Sequence, residues 1–296
     1  MSVLEAVAAR VARREPLSAA DGAAILATND IIEIGALADG ARRERHDART
    51  TFVRVFETHV DAPAAALPSG AGPGEIRIVG APRDVDSAVA AVRAAARAAG
   101  DRVPVTGFAL DHLVILAGGA SGLGDLCARL RGAGLRAVAD VPVDAFEDAA
   151  EAVEAVRHAG LSALRLTVHA LEPADRLAIV GRARALQGRV GGFRAFAPLP
   201  RTMSVTVPTT GYDDVKLVGL ARLLADNIDS IQVDWPLYGP KLAQVALTVG
   251  ADDVDGIAAV EPGTLGRRRS VIEEITGNIR AAALEPVERD GLFGIR

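Results

Sequence analysis

The chain has 296 residues, which is enough for one large α/β barrel or two modest domains. Half of the residues are hydrophobic and only 3% are aromatic, so we expect an aliphatic core. The formal net charge of −5 provides no basic surface for nucleic acid and excludes that class of partner. No apolar stretch is long enough to span a membrane, and charged residues interrupt the first helical pattern. We therefore expect a cytoplasmic protein without a membrane partner.

Three helices are predicted before the first strand. Apolar periodicity predicts helices over Val3–Arg14, Ala19–Ala27 and Asp30–Arg43. Ser18, followed three residues later by Asp21, is typical of an N-cap pair for the second helix. Residues 1–48 are therefore predicted to be a helical extension packed on the domain that follows.

The first two strand patterns are separated by a short connection. Thr50–Thr58 alternates and is rich in β-branched residues, and Glu75–Gly80 is the second strand pattern. Between them, Val60–Gly74 has room for at most a helical turn at Ala64–Leu67, whereas a parallel crossover needs about a dozen residues including its helix.

Helices and strands alternate regularly after Gly80. The predicted helices are Val85–Ala99, Gly122–Gly132, Ala145–Ala159, Pro173–Arg189, Asp213–Ala225 and Pro240–Leu247. The predicted strands are Val103–Ala109, Arg136–Val141, Ala163–Val168, Phe193–Pro198, Ser230–Asp234 and Gly256–Val260. This order predicts an α/β fold, a parallel (β/α) TIM-type barrel over residues 49–260, either closed or partial and open near the first strand. Residues 261–296 are predicted as a C-terminal loop and helix packed on the barrel.

Polar residues at the carboxyl ends of the predicted strands are the site candidates, because chemistry in α/β barrels usually lies there. Strand Ser230–Asp234 delivers Asp234 and Trp235, the only tryptophan in the chain, to its end. The other candidates at strand ends are Glu57, His59, Asp140, His169 and Arg201, and Asp252, Asp253 and Asp255 are assigned to the turn before the last strand.

The sequence predicts no metal site and leaves the catalytic residues unassigned. The histidines and carboxylates share no ligand spacing, and the aspartate-rich turn lacks the later glutamate of a calcium loop. Cys127 is the single cysteine, which excludes an internal disulfide or an all-cysteine metal centre within one chain, and we expect it to be buried. The run Arg267-Arg268-Arg269 is interpreted as a solvated loop rather than an anion site.

Several segments together resemble one enzyme family. They are Asp226-Asn227-Ile228, Trp235, Gly239–Gln244 and Gly250–Gly256, with support from Gly191-Gly192-Phe193, Ala195–Leu199 and Glu285–Asp290. These segments resemble the radical SAM enzymes of the futalosine route to menaquinone, above all aminofutalosine synthase. Dehypoxanthine futalosine cyclase and the deazaflavin-cofactor precursor synthase are similar in the same segments.

The departures from that family concern its cofactor. The family holds a [4Fe-4S] cluster with a C-x-x-x-C-x-x-C motif after the first strand, and the open iron binds S-adenosylmethionine. Here that position is His59-Val60-Asp61-Ala62-Pro63-Ala64, without cysteine. The Gly-Gly turn after the second strand is Gly80-Ala81-Pro82, and a glycine-rich stretch at the fourth strand is Val138–Pro142. The resemblance therefore implies a degenerate cofactor loop at His59, Asp61 and Gly80, and we predict no cofactor.

The resemblance also implies a pocket for a small polar aromatic or nucleoside-like ligand. Seven residues match family motif positions and are the substrate-binding candidates: His169, Asp234, Trp235, Lys241, Gln244, Asp252 and Asp255. The alternative is that Lys241, Gln244 and the aspartates cap helices and hold the barrel together.

A shortened crossover would leave one flank of the first strand undercovered, beside Phe52, Val53, Val55 and Phe56. An exposed apolar patch of this kind usually indicates an interface. We therefore expect a homodimer or a complex with a cluster-bearing radical SAM relative.

Two classes of function remain open from the sequence. One is a non-catalytic binding or partner subunit of menaquinone biosynthesis by the futalosine pathway. The other is an enzyme, using non-radical chemistry at His59, Asp140, His169 and Asp234, or an aminofutalosine-synthase-like transferase whose cluster a partner supplies.

Overall fold

The computed structural model describes residues 3–68, 70, 72–202, 210–260 and 271–296, so the arginine run at 267–269 lies outside the described residues. The strands are β1 (Arg49–His59), β2 (Glu75–Val79), β3 (Val105–Ala109), β4 (Ala137–Pro142), β5 (Ser162–Ala163), β6 (Arg165–Thr167), β7 (Ala195–Phe196), β8 (Ser230–Asp234), β9 (Asp253–Ala258) and β10 (Glu285–Glu288).

Hydrogen bonding between strands confirms the predicted barrel. The strand order is β10-β1-β2-β3-β4-β6-β7-β8-β9, β5 pairs with β4, and β1 also pairs with β9. The parallel register of β1 on β2 runs from Val55 opposite Glu75 to His59 opposite Val79. Because β1 pairs on both sides, eight strands close into a ring and the barrel is not open beside its first strand.

The helices follow the predicted alternation, with one addition. They are α1 (Val3–Ala12), α2 (Ala19–Ala27), α3 (Ile31–His46), α4 (Val85–Ala99), α5 (Leu110–Leu116), α6 (Ala120–Ala133), α7 (Ala150–His158), α8 (Arg176–Val190), α9 (Gly211–Leu224), α10 (Trp235–Leu247) and α11 (Val271–Ala281). The short α5 was not predicted. The predicted cap of α2 is confirmed, because Ser18 Oγ accepts the Asp21 N–H and Asp21 Oδ2 accepts the Ser18 N–H.

The chain divides into two compact units, one within Met1–Thr51, Leu166–Val254 and Thr276–Pro286, the other within Phe52–Arg165, Asp255–Ile275 and Val287–Arg296. In the first unit, α3 lies against α9. Gly219 permits this close packing, since a Cβ on it would lie 2.8 Å from Ile34 Cγ2. In the second unit, α4, α6 and α7 lie side by side.

The prediction of an undercovered flank beside β1 is wrong. Phe52, Val53 and Val55 are 3%, 0% and 4% exposed, and Phe56 is half-buried. The reason is the C-terminal segment, predicted as helix and loop, which instead adds β10 to the edge of β1, and Arg289 N–H donates to the Phe52 carbonyl oxygen at 2.9 Å. A strand distant in sequence therefore occupies an edge of β1, and the described residues between β1 and β2 form no helix.

The placement of Asp253 and Asp255 in a turn is also wrong. Both lie within β9, which begins three residues earlier than predicted. Sequence patterning failed here because consecutive aspartates are typical of turns, whereas both side chains are buried. Asp255 pairs with Arg77, and Asp253 accepts hydrogen bonds from Thr51 and Gln232.

Among the described residues, no single helix has the length and apolar character needed to cross a membrane. Among the same residues, α5 and α6 reach that length and apolar character when they are taken together, but they are bent by 105° where they join.

Candidate functional site

Asp234 is the anchor of a polar site at the carboxyl end of β8 in the first unit. Its Oδ1 accepts the Leu237 N–H at 3.0 Å, which makes it the N-cap of α10. Its Oδ2 lies 3.7 Å from Nη1 of Arg201, and both side chains are largely buried. The carboxylate is therefore oriented by a helix end and by a cation.

His169 and Arg201 are brought to this edge by backbone pairing beyond β6. The Arg201 N–H donates to the Val168 carbonyl at 2.9 Å and the Thr202 N–H donates to the His169 carbonyl at 2.8 Å. The His169 side chain is half-buried. The structure thus places an imidazole, a guanidinium and a carboxylate at the ends of neighbouring segments in one unit.

A kink in α10 separates the remaining candidates into two groups. Gly239 has φ +72° and ψ 167°, a conformation that favours glycine, and Pro240 begins a second helical segment. Trp235, half-buried, belongs to the first turn. Lys241 and Gln244 lie on the second segment, with the Lys241 side chain exposed.

Tyr238 is a residue of this site that the sequence reasoning missed. Its hydroxyl donates to the Pro200 carbonyl oxygen at 2.5 Å and so joins α10 to the segment that bears Arg201. Burial raises the pKa of Tyr238, and the nearby carboxylates of Asp214 and Asp234 raise it further, so the hydroxyl stays a proton donor. The available signal was that Tyr238 is one of only two tyrosines and precedes Gly239-Pro240.

Asp252 belongs to a buried ion cluster of the first unit. Its Oδ1 accepts the Ile231 N–H at 2.8 Å and a short bond from Arg222, and its Oδ2 lies 3.3 Å from His46 Nε2. The residue is 2% exposed. We therefore assign it a structural role, which is the alternative that the sequence left open, rather than contact with a ligand.

Asp255 has the same role in the second unit. It is fully buried and accepts two bonds from Arg77, at 2.9 and 2.8 Å, and another from Arg165. Arg77 also binds Glu75 through two bonds of 2.8 Å. Burial alone would lower the pKa of Arg77, but Asp255 and Glu75 outweigh it and hold that pKa well above its ordinary value. Asp140, one of the site candidates at the strand ends, pairs with Arg165 at 3.0 Å.

The loop that corresponds to the family's cofactor loop is closed by its own contacts. A Cβ on Gly80 would lie 2.7 Å from His59 Nε2, so the imidazole covers the turn after β2. The Asp61 N–H donates to His59 Nδ1 at 3.2 Å, and the Asp61 carboxylate pairs with Arg83 at 3.2 Å.

The donor set of this chain does not fit a [4Fe-4S] cluster, which protein thiolates hold. The single cysteine, Cys127, is fully buried in α6, and burial raises the pKa of its thiol to about 11. Among the described residues, no three histidine, cysteine or acidic side chains are grouped so that they could hold a metal ion.

Residues 194–296 match the model of the CofH/MqnC C-terminal region. This part of the chain is similar to that region of the CofH/MqnC proteins. The matched region includes the site around Arg201, Asp234 and Tyr238, and the resemblance drawn from Asp226–Gly256 is confirmed.

Curated relatives with related names match part of the chain. Aminodeoxyfutalosine synthase of Streptomyces coelicolor is 34% identical over 154 residues, which are 43% of this chain and 38% of the relative. The Thermus thermophilus enzyme of the same name is 35% identical over 133 residues, 40% of this chain and 36% of the relative. The 5-amino-6-(D-ribitylamino)uracil–L-tyrosine 4-hydroxyphenyl transferase of Methanococcoides burtonii is 34% identical over 137 residues, 40% of this chain and 38% of the relative. The matches therefore span less than half the length of these relatives.

Solved structures support the fold alone. The FeFe-hydrogenase maturase HydG of Carboxydothermus hydrogenoformans superposes with a TM-score of 0.65 at 13% identity, covering 96% of this chain and 79% of that one. Methylornithine synthase (PylB) has the same TM-score at 12% identity and covers 95% and 97% of the two chains.

Proposed function

We propose that this chain is a cluster-less relative of the radical SAM enzymes of menaquinone biosynthesis, acting as a non-catalytic binding or partner subunit. The observation behind this proposal is the loop after β1, where His59 covers Gly80 and Asp61 pairs with Arg83 in a position that the family fills with thiolates. The chain makes no radical from S-adenosylmethionine by itself, because it provides no thiolate set for the cluster that would cleave it.

The decisive experiment measures iron and sulfide after anaerobic reconstitution of the whole chain, with a visible spectrum and a calorimetric titration with S-adenosylmethionine. We expect a featureless spectrum, iron and sulfide at the level of a mock-treated sample, and no heat of binding. The Streptomyces coelicolor aminodeoxyfutalosine synthase, treated in parallel, is the control for the procedure.

A second control uses this chain itself. The triple substitution His59→Cys, Pro63→Cys and Ala66→Cys restores the spacing C-x-x-x-C-x-x-C after β1, so iron uptake by that variant alone would locate the defect in the donor set. Stoichiometric iron and sulfide in the unmodified chain would overturn the proposal.

The site at the end of β8 supports a ligand-binding role. Trp235 follows Asp234 directly and offers a half-buried aromatic side chain, and Asp234 pairs with Arg201. An aromatic ring, a carboxylate and a guanidinium are a combination that suits a flat polar molecule. The names of the relatives supply the probes: L-tyrosine, 5-amino-6-(D-ribitylamino)uracil and aminodeoxyfutalosine.

We predict that Trp235→Ala weakens binding of the probe that binds best by about tenfold, because one stacking face is lost. The measurement is calorimetry on the intact chain, and Val245→Ala, an exposed position on the same helix, should leave the affinity unchanged. Equal affinities for the parent and Trp235→Ala would remove Trp235 from the site.

A cluster-bearing partner remains part of the proposal, although the flank beside β1 no longer supports it. The partner role now rests on the missing donor set, since a pathway reaction would need a cluster from another chain. A second copy of this chain has the same donor set and would not supply that cluster, so the homodimer stays a prediction from the sequence. A light-scattering mass of one chain, together with no association with added aminodeoxyfutalosine synthase, would refute the partner role.

The enzyme alternative has less support. Asp140 is bound to Arg165 and Asp234 caps α10, so neither carboxylate is arranged as a general base.

A further inference from the structure

A cavity of about 280 Å³ lies among the ends of α1, α3 and α9 in the first unit. Its volume is near the lower end of the roughly 300–1,000 Å³ of small-molecule pockets. Val11, Leu17, Ala41 and Leu223 supply apolar walls, and charged residues line the rest. The cavity adjoins Asp226, before β8 begins, whereas Asp234 ends β8, so the two places lie on the order of 15 Å apart along the strand.

The charges around this cavity are mostly compensated, with one exception. Arg14 pairs with Glu44 at 3.3 Å, Glu15 is bound by Arg13, and Asp226 lies 3.5 Å from Arg184. Arg222 is bound to Asp252. In the part of the chain that the structure describes, Arg45 forms no ion pair, and its Nη2 bonds to the uncharged carbonyl oxygen of Asp226 at 2.5 Å.

Arg45 is therefore the charged residue of the lining that has no oppositely charged side chain within ion-pair distance among the described residues. Arg45 also lies close enough to Arg222 to act on it: burial lowers the pKa of Arg222, Asp252 and Asp229 raise it, and Arg45 and Arg42 lower it. A carboxylate placed beside Arg45 would relieve this repulsion and gain a charge-assisted hydrogen bond.

We propose that this cavity is a second ligand site, which binds a small apolar carboxylate with its hydrocarbon part against Val11, Leu17 and Leu223 and its carboxylate on Arg45. The hydrocarbon part of such a molecule matches the apolar walls. Its carboxylate would pair with Arg45, the lining arginine that has no carboxylate partner among the described residues. The site is separate from the one around Asp234 and does not depend on the function proposed for it.

The test uses 3-phenylpropionate and the intact chain labelled with ¹⁵N, followed by two-dimensional amide spectra. We expect saturable shifts of the amide signals of α1, α3 and the end of α9, with a Kd of about 1 mM or tighter. The uncharged 3-phenylpropionamide should bind at least about tenfold more weakly, since it lacks the charge-assisted bond.

Three variants complete the design. Arg45→Gln should weaken the acid about tenfold and leave the amide unchanged, and Ala41→Phe should abolish both by filling the cavity. Arg43→Gln is the matched control, because this arginine is on the same helix but bound to Asp39, and it should not change binding.

Failure of this proposal is distinguishable from failure of the proposed function. Arg201→Gln should leave 3-phenylpropionate binding intact. No saturable shifts, equal binding of acid and amide, or shifts confined to the ends of β6 and β8 would each overturn the proposal.

Discussion

Replacing Asp255 by alanine is expected to lower the free energy of unfolding by about 3–5 kcal/mol, the usual cost of leaving a buried charge without its partner. Asp255 is fully buried and binds Arg77 at 2.8 Å and also Arg165. Without it, two buried guanidinium groups keep only Glu75 and Asp140 as ion-pair partners among the described residues. Urea denaturation of the variant and the parent chain measures the difference.

A surface ion pair in the same unit is the control for this prediction. Asp86 is 93% exposed and pairs with Arg129 at 3.1 Å, so Asp86→Ala should cost less than about 1 kcal/mol. If Asp255 contacted a ligand instead of supporting the fold, Asp255→Ala would leave the denaturation midpoint unchanged and weaken ligand binding. That result would restore Asp255 to the ligand site.

Gly291→Ala should destabilise the protein by about 1–3 kcal/mol through overpacking. An added Cβ would lie 2.6 Å from Cγ of Glu75, and the Glu75 side chain cannot move away because Arg77 binds both of its carboxylate oxygens at 2.8 Å. Gly291 itself is held in place, since its N–H donates to the Gly74 carbonyl at 3.0 Å. Thermal and urea unfolding provide the measurement.

Gly124→Ala is the matched control within the second unit. Gly124 is in α6 and a Cβ there meets nothing within 4 Å, so the substitution should be neutral or stabilise by up to about 1 kcal/mol. Equal stability of Gly291→Ala and the parent would mean that the C-terminal segment does not press on Glu75.

Local patterns predicted the individual elements well where apolar periodicity is strong. α4 and β8 have the predicted bounds, Val85–Ala99 and Ser230–Asp234, because one is a capped helix with an apolar face and the other alternates strictly. β10 was missed because Glu285–Glu288 has little strand character of its own and pairs only because β1 offers it an edge. α5 was missed because it is a mostly apolar segment of only seven residues that directly follows a strand, and such a short segment looks like a continuation of that strand.

The positions of some candidate residues were predicted for the same reason. Asp234, Trp235 and His169 were expected near strand ends because they follow recognisable strands, and the structure places them there. The interaction of Tyr238 with Pro200 spans 38 residues, and no local pattern reports it.

The sequence by itself determined the barrel, since the alternation of strands and helices has few other solutions, and it determined the absence of the thiolate motif after β1. Only the tertiary structure decided what the aspartates of β9 do, because Asp255 meets Arg77 across 178 positions of the chain and Arg165 across 90. It also decided that Phe52, Val53 and Val55 of β1 are buried and that a cavity lies beside Arg45. The physical reason is common to all three: the energy of a buried charge, an edge strand or a cavity depends on which distant residues pack against it, and spacing along the chain does not contain that information.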